Sequence, residues 1–339
     1  MSYQVLGIET SCDETSAAVL SDGQVLSNIV SSQEIHHAFG GVVPELASRA
    51  HIRLITVIVR RALQQAGLTA RELNGIAVTH GPGLVGALLV GLSFSKGLSE
   101  ALDIPFIGIN HIEGHLYSNF LSNPAITFPH LSLVVSGGHT QLVLMRDHLH
   151  YKIIGKTRDD AVGEAFDKGA KLLGLGYPGG PLIDKLAKNG NEDFHLFPRA
   201  YLKNNSFDFS YSGLKTSLLV YTQAKGGDFI RDHIEDICAS YQQAAVEVLI
   251  KKTSRAAGQY NAHSIGIVGG VAANSLLRTR MAEEAERIGI SFFIPELAYC
   301  TDNAAMIARA GWERLKRGIT SENILNAVPS LPLESVESD

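Results

Sequence analysis

The chain has 339 residues, of which 45% are hydrophobic and 19% charged, and its formal net charge is −5. This composition excludes a disordered or fibrous protein and one that coats nucleic acid by overall charge, and it predicts a soluble protein long enough for two domains. The three widely separated cysteines provide neither a disulfide framework nor a cysteine-based zinc ribbon: Cys12, Cys238 and Cys300.

The first residues show no signal-peptide pattern, because they lack a basic start and an apolar core. The most apolar helical stretch, 84–94, is too short to span a bilayer. We therefore expect a cytoplasmic protein with no membrane segment.

Residues 5–20 predict a strand, a tight polar turn and a second strand. A solvated loop is one interpretation of the turn, but it carries more polar groups than its backbone needs: Glu9, Thr10, Ser11, Asp13, Glu14 and Thr15. Residues 131–145 repeat the layout around a turn at 136–138. This duplication predicts an α/β fold of two similar halves that face each other across a central cleft.

The chain between the two hairpins alternates helices and short strands. The patterns predict a helix over 44–65, a strand over 76–78, a helix rich in small residues over 84–98 and a strand over 104–109. The last strand leads directly into the histidine-containing segment 110–115.

Two histidines, His111 and His115, lie four residues apart in a predicted helix. This spacing places both imidazoles on one face, where they can share one cation. A chance pair that is merely solvated or hydrogen-bonded is the alternative. Glu113 points about 200° away from His111, so the segment does not fit the zinc-peptidase pattern H-E-x-x-H.

In the second half, residues 158–160 predict the acidic start of a helix. A rigid glycine–proline loop follows over 174–181. Residues 189–211 have no periodicity and indicate an insertion that borders the cleft, whereas 234–258 predict a structural amphipathic helix.

Residues 264–278 predict a buried strand, a glycine turn and a helix. The turn, 269–274, suits a nucleotide phosphate or adenosine, although it matches neither G-x-G-x-x-G nor a Walker loop and a structural turn is the alternative. Near the end, Asp302 precedes a helix of small residues, where it is either a ligand or the helix cap.

Seven motifs in order resemble the bacterial tRNA adenosine threonylcarbamoyltransferase family, formerly called glycoprotease or O-sialoglycoprotein endopeptidase: 7–15, 40–51, 110–115, 134–139, 167–168, 269–274 and 301–304. The resemblance covers nearly the whole chain and implies two RNase H-like domains of the actin-like ATPase fold. The expected domains are 1–109, completed by a C-terminal helix at about 320–339, and 110–319, with an insertion at about 189–212.

The resemblance implies transfer of the threonylcarbamoyl group from threonylcarbamoyl-AMP to the exocyclic amine of the adenosine 3′ to the anticodon, with release of AMP. The tRNAs concerned read codons that begin with adenine. By position, His111, His115 and Asp302 hold one metal ion, usually iron with zinc as the alternative, and Asp13 assists the attacking amine. The substrate-binding residues are then Val134, Val135, Ser136, Gly137, Gly138, Asp167, Gly180, Asp184 and Asn274.

The resemblance also implies partners: tRNA, a shorter metal-free paralogue that forms a heterodimer, and a small P-loop ATPase. Because the net charge is negative, tRNA binding is expected to need a local basic surface, with six candidates: Arg49, Arg53, Lys251, Lys252, Arg278 and Arg280. The alternatives are an ATP-dependent small-molecule kinase of the same fold, which needs an acid on each hairpin, and a non-catalytic scaffold, which is expected to lack the ligand set.

Overall fold

The computed structural model describes residues 2–39, 41–201 and 206–334. It divides into two compact units, which we call unit 1 and unit 2. Unit 1 comprises the described residues of Met1–Pro124 and Pro295–Asp339, and unit 2 comprises those of Ala125–Ile294.

The described strands are β1 (Gln4–Glu9), β2 (Glu14–Ser21), β3 (Gln24–Ser32), β4 (Gly75–Gly81), β5 (Phe106–Asn110), β6 (His130–Val135), β7 (Thr140–Asp147), β8 (His150–Lys156), β9 (Ser264–Val268) and β10 (Ser291–Phe293). The described α-helices are α1 (Pro44–Ala66), α2 (Val85–Leu102), α3 (His111–Ser122), α4 (Val162–Leu172), α5 (Gly179–Ala187), α6 (Ser212–Lys225), α7 (Gly227–Asp232), α8 (Ile234–Gln259), α9 (Ser275–Arg287) and α10 (Ala304–Leu315).

Unit 1 is built on a five-stranded sheet of order β3-β2-β1-β4-β5, in which β1, β2 and β3 are antiparallel and β4 and β5 run parallel to β1. Leu6 and Ile8 of β1 belong to a core shared with α1 and α2. Gly7, between them, faces α10: a Cβ atom there would lie 2.3 Å from the Ala304 carbonyl oxygen. Because this residue has no side chain, α10 lies directly on β1.

Unit 2 repeats this topology. Its sheet has the order β10-β9-β6-β7-β8, with β6, β7 and β8 antiparallel and β9 and β10 parallel to β6. Read from the other edge, this is the strand order and direction of unit 1. The duplication that the two hairpins predicted is therefore confirmed at the level of the sheets.

The compact units differ from the expected domain boundaries. Helix α3 belongs to unit 1 because it packs against α10, so the first boundary lies at 124/125 instead of 109/110. The helix that completes unit 1 is α10, whereas the described residues 319–334 form no helix; 335–339 lie outside the described residues. In the expected insertion, the described residues of 189–211 form no helix and only an isolated bridge between Phe209 and Thr157.

Helix α2 is longer than the apolar stretch 84–94, and by length and composition alone it could cross a membrane. The expectation that no helix is long enough was therefore wrong. In unit 1, α2 packs against β4 and α1, and Ala87, Leu88 and Leu92 are fully buried or nearly so. These are the contacts of a core helix.

The last described residues form an irregular strap, with two turns, that contacts β5 and β4 of the unit 1 sheet. Ser321 N donates to Phe106 O at 2.8 Å, and Val328 N donates to His80 O at 2.8 Å. At its far end, the carbonyl of Pro332 accepts from the side chain of Asn110 at 2.9 Å. The strap therefore reaches the residue from which α3 begins.

Candidate metal centre

Helix α3 carries the histidine pair and begins with a well-formed cap. The side-chain oxygen of Asn110 accepts from Ile112 N at 2.8 Å and also from Glu113 N, which satisfies the first free N–H groups of the helix. The rings of His111 and His115 lie on one face with centroids 4.7 Å apart. The one-face geometry predicted from the spacing is confirmed.

Asp302 lies just before α10 and faces these rings. Its Oδ1 atom is 3.2 Å from His115 Nε2 and 3.5 Å from His111 Nε2. The N-cap of α10 is Asn303, whose side chain accepts from Met306 N at 3.1 Å. The alternative that Asp302 caps this helix was therefore wrong, and its carboxylate is available as a ligand.

The three side chains have the composition and spacing of a metal-binding site. One ligand atom from each of His111, His115 and Asp302 lies within 4.8 Å of the others. Both ring nitrogens of His115 are buried: Nδ1 has no hydrogen-bond partner among the described residues, and Nε2 lies 3.2 Å from the Asp302 carboxylate. A buried polar atom without a partner is costly, and a metal ion on one of these nitrogens would remove much of that cost. The residues therefore fit a metal ion.

His111 makes further contacts through its other nitrogen. Its Nδ1 atom is 3.0 Å from Glu9 Oε2 and 3.2 Å from the hydroxyl of Ser11. The same oxygen of Glu9 accepts from the Thr79 hydroxyl at 2.6 Å. Glu9 and Ser11 therefore share the Nδ1 side of the His111 ring, whereas Asp302 lies on the Nε2 side.

The buried carboxylates and histidines at this site stabilise one another's charged forms. Burial lowers the pKa of His111, but the carboxylates of Asp302 and Glu9 outweigh burial and raise that pKa well above its ordinary value. Burial raises the pKa of Asp302 and of Glu9, yet the adjacent histidine charge lowers both. The cluster thus favours a positive charge between the carboxylates, which a cation would supply when bound.

Glu113 lies on a different face of α3. Its carboxylate is fully buried and pairs with the guanidinium of Arg314, with Nε to Oε1 at 3.0 Å and Nη2 to Oε2 at 2.9 Å. The sequence-based exclusion of a peptidase-like base at Glu113 agrees with this pairing.

The turn between β1 and β2 contains Asp13, which is half-buried. His51 on α1 supports this turn, with Nε2 2.9 Å from Cys12 O and Nδ1 2.8 Å from the Thr15 hydroxyl. Burial, and after it the charges of Asp302 and Asp13, raise the pKa of Glu14 to about 9. Burial together with the neighbouring carboxylates therefore favours the protonated form of Glu14.

The remaining sequence-predicted site residues lie in unit 2, in two groups. The first is the turn after β6: Val134 and Val135 end the strand, and Ser136, Gly137 and Gly138 form the turn. Its close neighbours are glycines, since a Cβ atom on Gly163 would lie 2.6 Å from Ser136 O and one on Gly269 2.4 Å from Val135 O. The turn, the start of α4 and the glycine turn after β9 therefore come together.

The second group surrounds the start of α5. Asp167 accepts from Gly179 N at 2.7 Å, next to Gly180. Asp184 accepts from Ser275 N at 3.1 Å and from its hydroxyl at 2.8 Å. A cavity of about 310 Å³ adjoins this region, lined by Ala187, Lys188, Gly190, Glu192, Ala239, Gln242, Ser275, Leu276 and Thr279.

Asn274 has two structural contacts. Its side-chain oxygen accepts from Leu277 N at 2.9 Å as the N-cap of α9, and its nitrogen donates to Gln242 at 2.8 Å. Gln242 also lines the cavity. Asn274 therefore lies beside this space, with its oxygen already used by the helix.

The six candidate basic residues do not form one exposed set. Lys252 is buried and its Nζ donates to a backbone carbonyl, so it is not a surface candidate. Arg49 and Arg280 pair with Glu45 at 2.6 Å and Glu192 at 2.8 Å, and Lys251 pairs with Glu247. The positive charge of these three is matched by a neighbouring glutamate.

Sequence reasoning missed the supporting residues Thr79, His51 and Arg314. Thr79 lies in β4, whose parallel pairing with β1 sets Val78 opposite Ile8 and so brings Thr79 to the level of Glu9; this register is not visible in the sequence. His51 and Arg314 lie within helices and carry no local signal.

The sequence matches a known protein family over most of its length. The model of the family described as tRNA N6-adenosine threonylcarbamoyltransferase matches residues 24–309. The enzyme of that name from Caldicellulosiruptor bescii is 52% identical over 339 residues, covering 98% of this chain and 99% of the relative. That from Thermosipho africanus is 53% identical over 332 residues, covering 97% and 99%.

Solved structures with a similar fold are more distant. T. kodakarensis HypF has a TM-score of 0.63 at 12% identity, covering 95% of this chain and 49% of that one. The activator of the 2-hydroxyisocaproyl-CoA dehydratase from Clostridium difficile has a TM-score of 0.53 at 14% identity, covering 94% and 97%. These likenesses show only the fold, which is the actin-like ATPase fold that the sequence predicted.

The family assignment rests on the sequence relatives. The family model spans most of the chain, and relatives more than half identical match it along nearly their whole length. The chain therefore belongs to the tRNA N6-adenosine threonylcarbamoyltransferase family, whose members are transferases that modify tRNA.

Proposed function

We propose that the chain transfers the threonylcarbamoyl group from threonylcarbamoyl-AMP to the exocyclic amine of the adenosine at position 37 of tRNAs that read codons beginning with adenine. One metal ion, with iron as the first choice and zinc as the second, is held by His111, His115 and Asp302. The observation that carries this assignment is the His–His–Asp cluster, in which one ligand atom from each residue lies within 4.8 Å of the others and both histidines are buried.

The three ligands suit this chemistry. Two neutral imidazoles and one carboxylate leave open coordination positions, so that a substrate oxygen can also be bound. When bound, the metal supplies a Lewis acid that polarises an acyl or phosphate oxygen. The histidines come from α3, and Asp302 comes from the segment that precedes α10. The two helices pack closely at Gly114, where a Cβ atom would lie 2.6 Å from Ile307 Cδ1.

The reaction forms one bond and breaks one. The adenosine nitrogen attacks the carbonyl carbon of the threonylcarbamoyl group, and the bond from that carbon to the phosphate oxygen breaks, so AMP leaves with the electron pair. The attacking amine must lose a proton. Asp13, in the turn after β1 and in the same unit as the ligands, is proposed to orient the amine or accept that proton.

Residues of unit 2 are proposed to bind the donor. The turn Val134–Gly138 contacts the acyl-phosphate part, Asp167, Gly180 and Asp184 the ribose side, and Asn274 the adenosine side. A cavity of about 310 Å³ adjoins two of these residues, since its lining residues Ser275 and Gln242 hydrogen-bond to Asp184 and Asn274 respectively. Burial raises the pKa of Asp167, although the backbone N–H groups of Gly179 and Gly180 act in the opposite direction.

The partners are proposed by resemblance to the family. The substrate tRNA follows from the family's activity, whereas the shorter metal-free paralogue and the small P-loop ATPase belong to the proposal. A cytoplasmic location is proposed on the same ground. The kinase alternative is not favoured, because the turn at Ser136–Gly138 offers no acid to pair with the acidic turn of unit 1.

The proposal is tested by metal analysis together with a transfer assay on unmodified tRNA, using the full chain with its partner proteins. We expect His115→Ala to lose bound metal and transfer together while keeping its fold. The matched control is His263→Ala, since His263 is an exposed histidine in unit 2. Full metal stoichiometry in His115→Ala would place the metal elsewhere, and absence of transfer by the wild type with threonylcarbamoyl-AMP would overturn the function.

A further inference from the structure

Glu9 is a carboxylate with no access to solvent. It ends β1 and is 0% exposed. Its Oε1 accepts from Ser11 N, and its Oε2 accepts from the Thr79 hydroxyl at 2.6 Å and lies 3.0 Å from His111 Nδ1. Three donors from three elements therefore converge on one buried acid.

These contacts determine which nitrogen of His111 carries a proton. An ionised carboxylate accepts hydrogen bonds and cannot donate them, so the proton in the His111–Glu9 contact belongs to Nδ1. The other nitrogen, Nε2, is the one that faces Asp302, at 3.5 Å. In metal sites, a histidine whose second nitrogen donates to a carboxylate has its tautomer and ring orientation fixed and is a stronger ligand.

We propose that Glu9 is a positioning residue of the metal centre, which holds His111 through Nδ1 so that Nε2 is presented to the metal. This inference rests on the metal site of the proposed function. Glu9 does not serve as the general base, because its oxygens are occupied by the three donors and water does not reach it.

The two histidines differ in this respect. The Nδ1 atom of His115 has no hydrogen-bond partner among the described residues, whereas the Nδ1 atom of His111 is held by Glu9 before any metal binds. His111 is thus the preorganised ligand of the pair. Loss of Glu9 is expected to weaken metal binding through His111 alone.

The test compares two variants of the full, metal-free chain. Glu9→Gln keeps the size of the side chain but places an NH₂ group against one of the three donors. We expect it to bind zinc about 10–100-fold more weakly in competition with a chelator. The matched control is Ser11→Ala, which removes the hydroxyl 3.2 Å from the same nitrogen and leaves the carboxylate, and it is expected to retain the wild-type zinc affinity.

A second readout separates positioning from general stability. In the zinc-loaded chain labelled with ¹⁵N-histidine, the Nδ1 proton of His111 should appear as a downfield, slowly exchanging signal that is absent from His111→Ala. We expect this signal to disappear or to move upfield in Glu9→Gln and to remain unchanged in Ser11→Ala. Thermal unfolding of the metal-free variants, measured in parallel, identifies any loss that is due to unfolding.

The outcomes are distinct. If Glu9→Gln is folded and keeps both the zinc affinity and the Nδ1 signal of the wild type, the positioning role is overturned while the proposed function stands. If the wild type binds zinc no better than His115→Ala does, the metal site itself fails, and both proposals fall together.

Discussion

Arg314 on α10 holds the carboxylate of Glu113 on α3 through two nitrogens, at 3.0 and 2.9 Å. The carboxylate has no exposed surface, and 16% of the arginine side chain is exposed. The pair joins the helix that carries the histidines to the helix that follows Asp302. Glu113, the acid inside the H-x-x-x-H segment, therefore stabilises the packing of α3 against α10.

The first prediction follows from this pair. Glu113→Gln leaves the buried charge of Arg314 without its partner, so we expect a loss of about 3–5 kcal/mol in the free energy of unfolding. Metal content of the folded fraction should be unchanged. As a control, Glu45→Gln breaks an exposed pair with Arg49 and should cost less than about 1 kcal/mol. Denaturant unfolding and elemental analysis check both, and metal loss in folded Glu113→Gln would mean that Glu113 contributes to the site.

The second prediction separates Asp302 from its neighbour. Asn303→Ala removes the cap of α10 and should cost about 1 kcal/mol of stability while metal remains bound. Asp302→Ala should keep the cap but lose the metal, because a charged ligand is removed from a site with three protein ligands. Elemental analysis of the two variants decides the question: metal retained in Asp302→Ala would remove this residue from the ligand set.

The third prediction concerns Asp13. Asp13→Asn should keep metal and nucleotide binding but transfer about 100–10,000-fold more slowly in single turnovers with preformed threonylcarbamoyl-AMP, because a positioned base is lost. The matched control is Asp147→Asn, since Asp147 is an exposed aspartate at another hairpin turn. A near-wild-type rate for Asp13→Asn would mean that Asp13 only stabilises its own turn, which asparagine can also do.

The fourth prediction is a pH dependence at Glu14. Burial, followed by the charges of Asp302 and Asp13, raises its pKa from 4.5 to about 9. The folded chain therefore binds more protons than the unfolded chain between these values, and the stability of the metal-free chain should fall as the pH rises from 4.5 to about 9.

Glu14→Gln removes this titration. We expect its stability to decline less over that pH range and to exceed that of the wild type at the upper end. Urea unfolding of the two metal-free proteins at several pH values measures the difference. Parallel stability profiles would show that Glu14 ionises normally in the folded chain.

The sequence was sufficient for two long helices and for the one-face placement of the histidine pair. Periodicity predicted the helix at 44–65, observed as Pro44–Ala66, and the helix at 234–258, observed as Ile234–Gln259. The one-face placement of His111 and His115 needed only the geometry of a helix. Such features depend on local spacing, which a single sequence displays directly.

Other features depend on contacts between distant residues. Aspartate and asparagine are both good helix caps, so residue type alone does not decide whether Asp302 or Asn303 caps α10. The direction of the backbone at the start of the helix decides it. The convergence of Glu9, Thr79 and His111 requires the register of β1, β4 and β5, and the Arg314–Glu113 pair requires the approach of α10 to α3. Local patterns do not contain this information.

The most direct test of the central claim is transfer by metal-stripped and metal-restored protein. The full chain and its partner proteins would be given unmodified tRNA and isotopically labelled threonylcarbamoyl-AMP, and the digested tRNA analysed for labelled threonylcarbamoyladenosine. We predict that chelation abolishes labelling of tRNA by the wild type and that added iron or zinc restores this labelling. Neither metal should restore labelling by His111→Ala. Undiminished labelling by the metal-stripped chain, or no labelling by the metal-loaded wild type, would contradict the account.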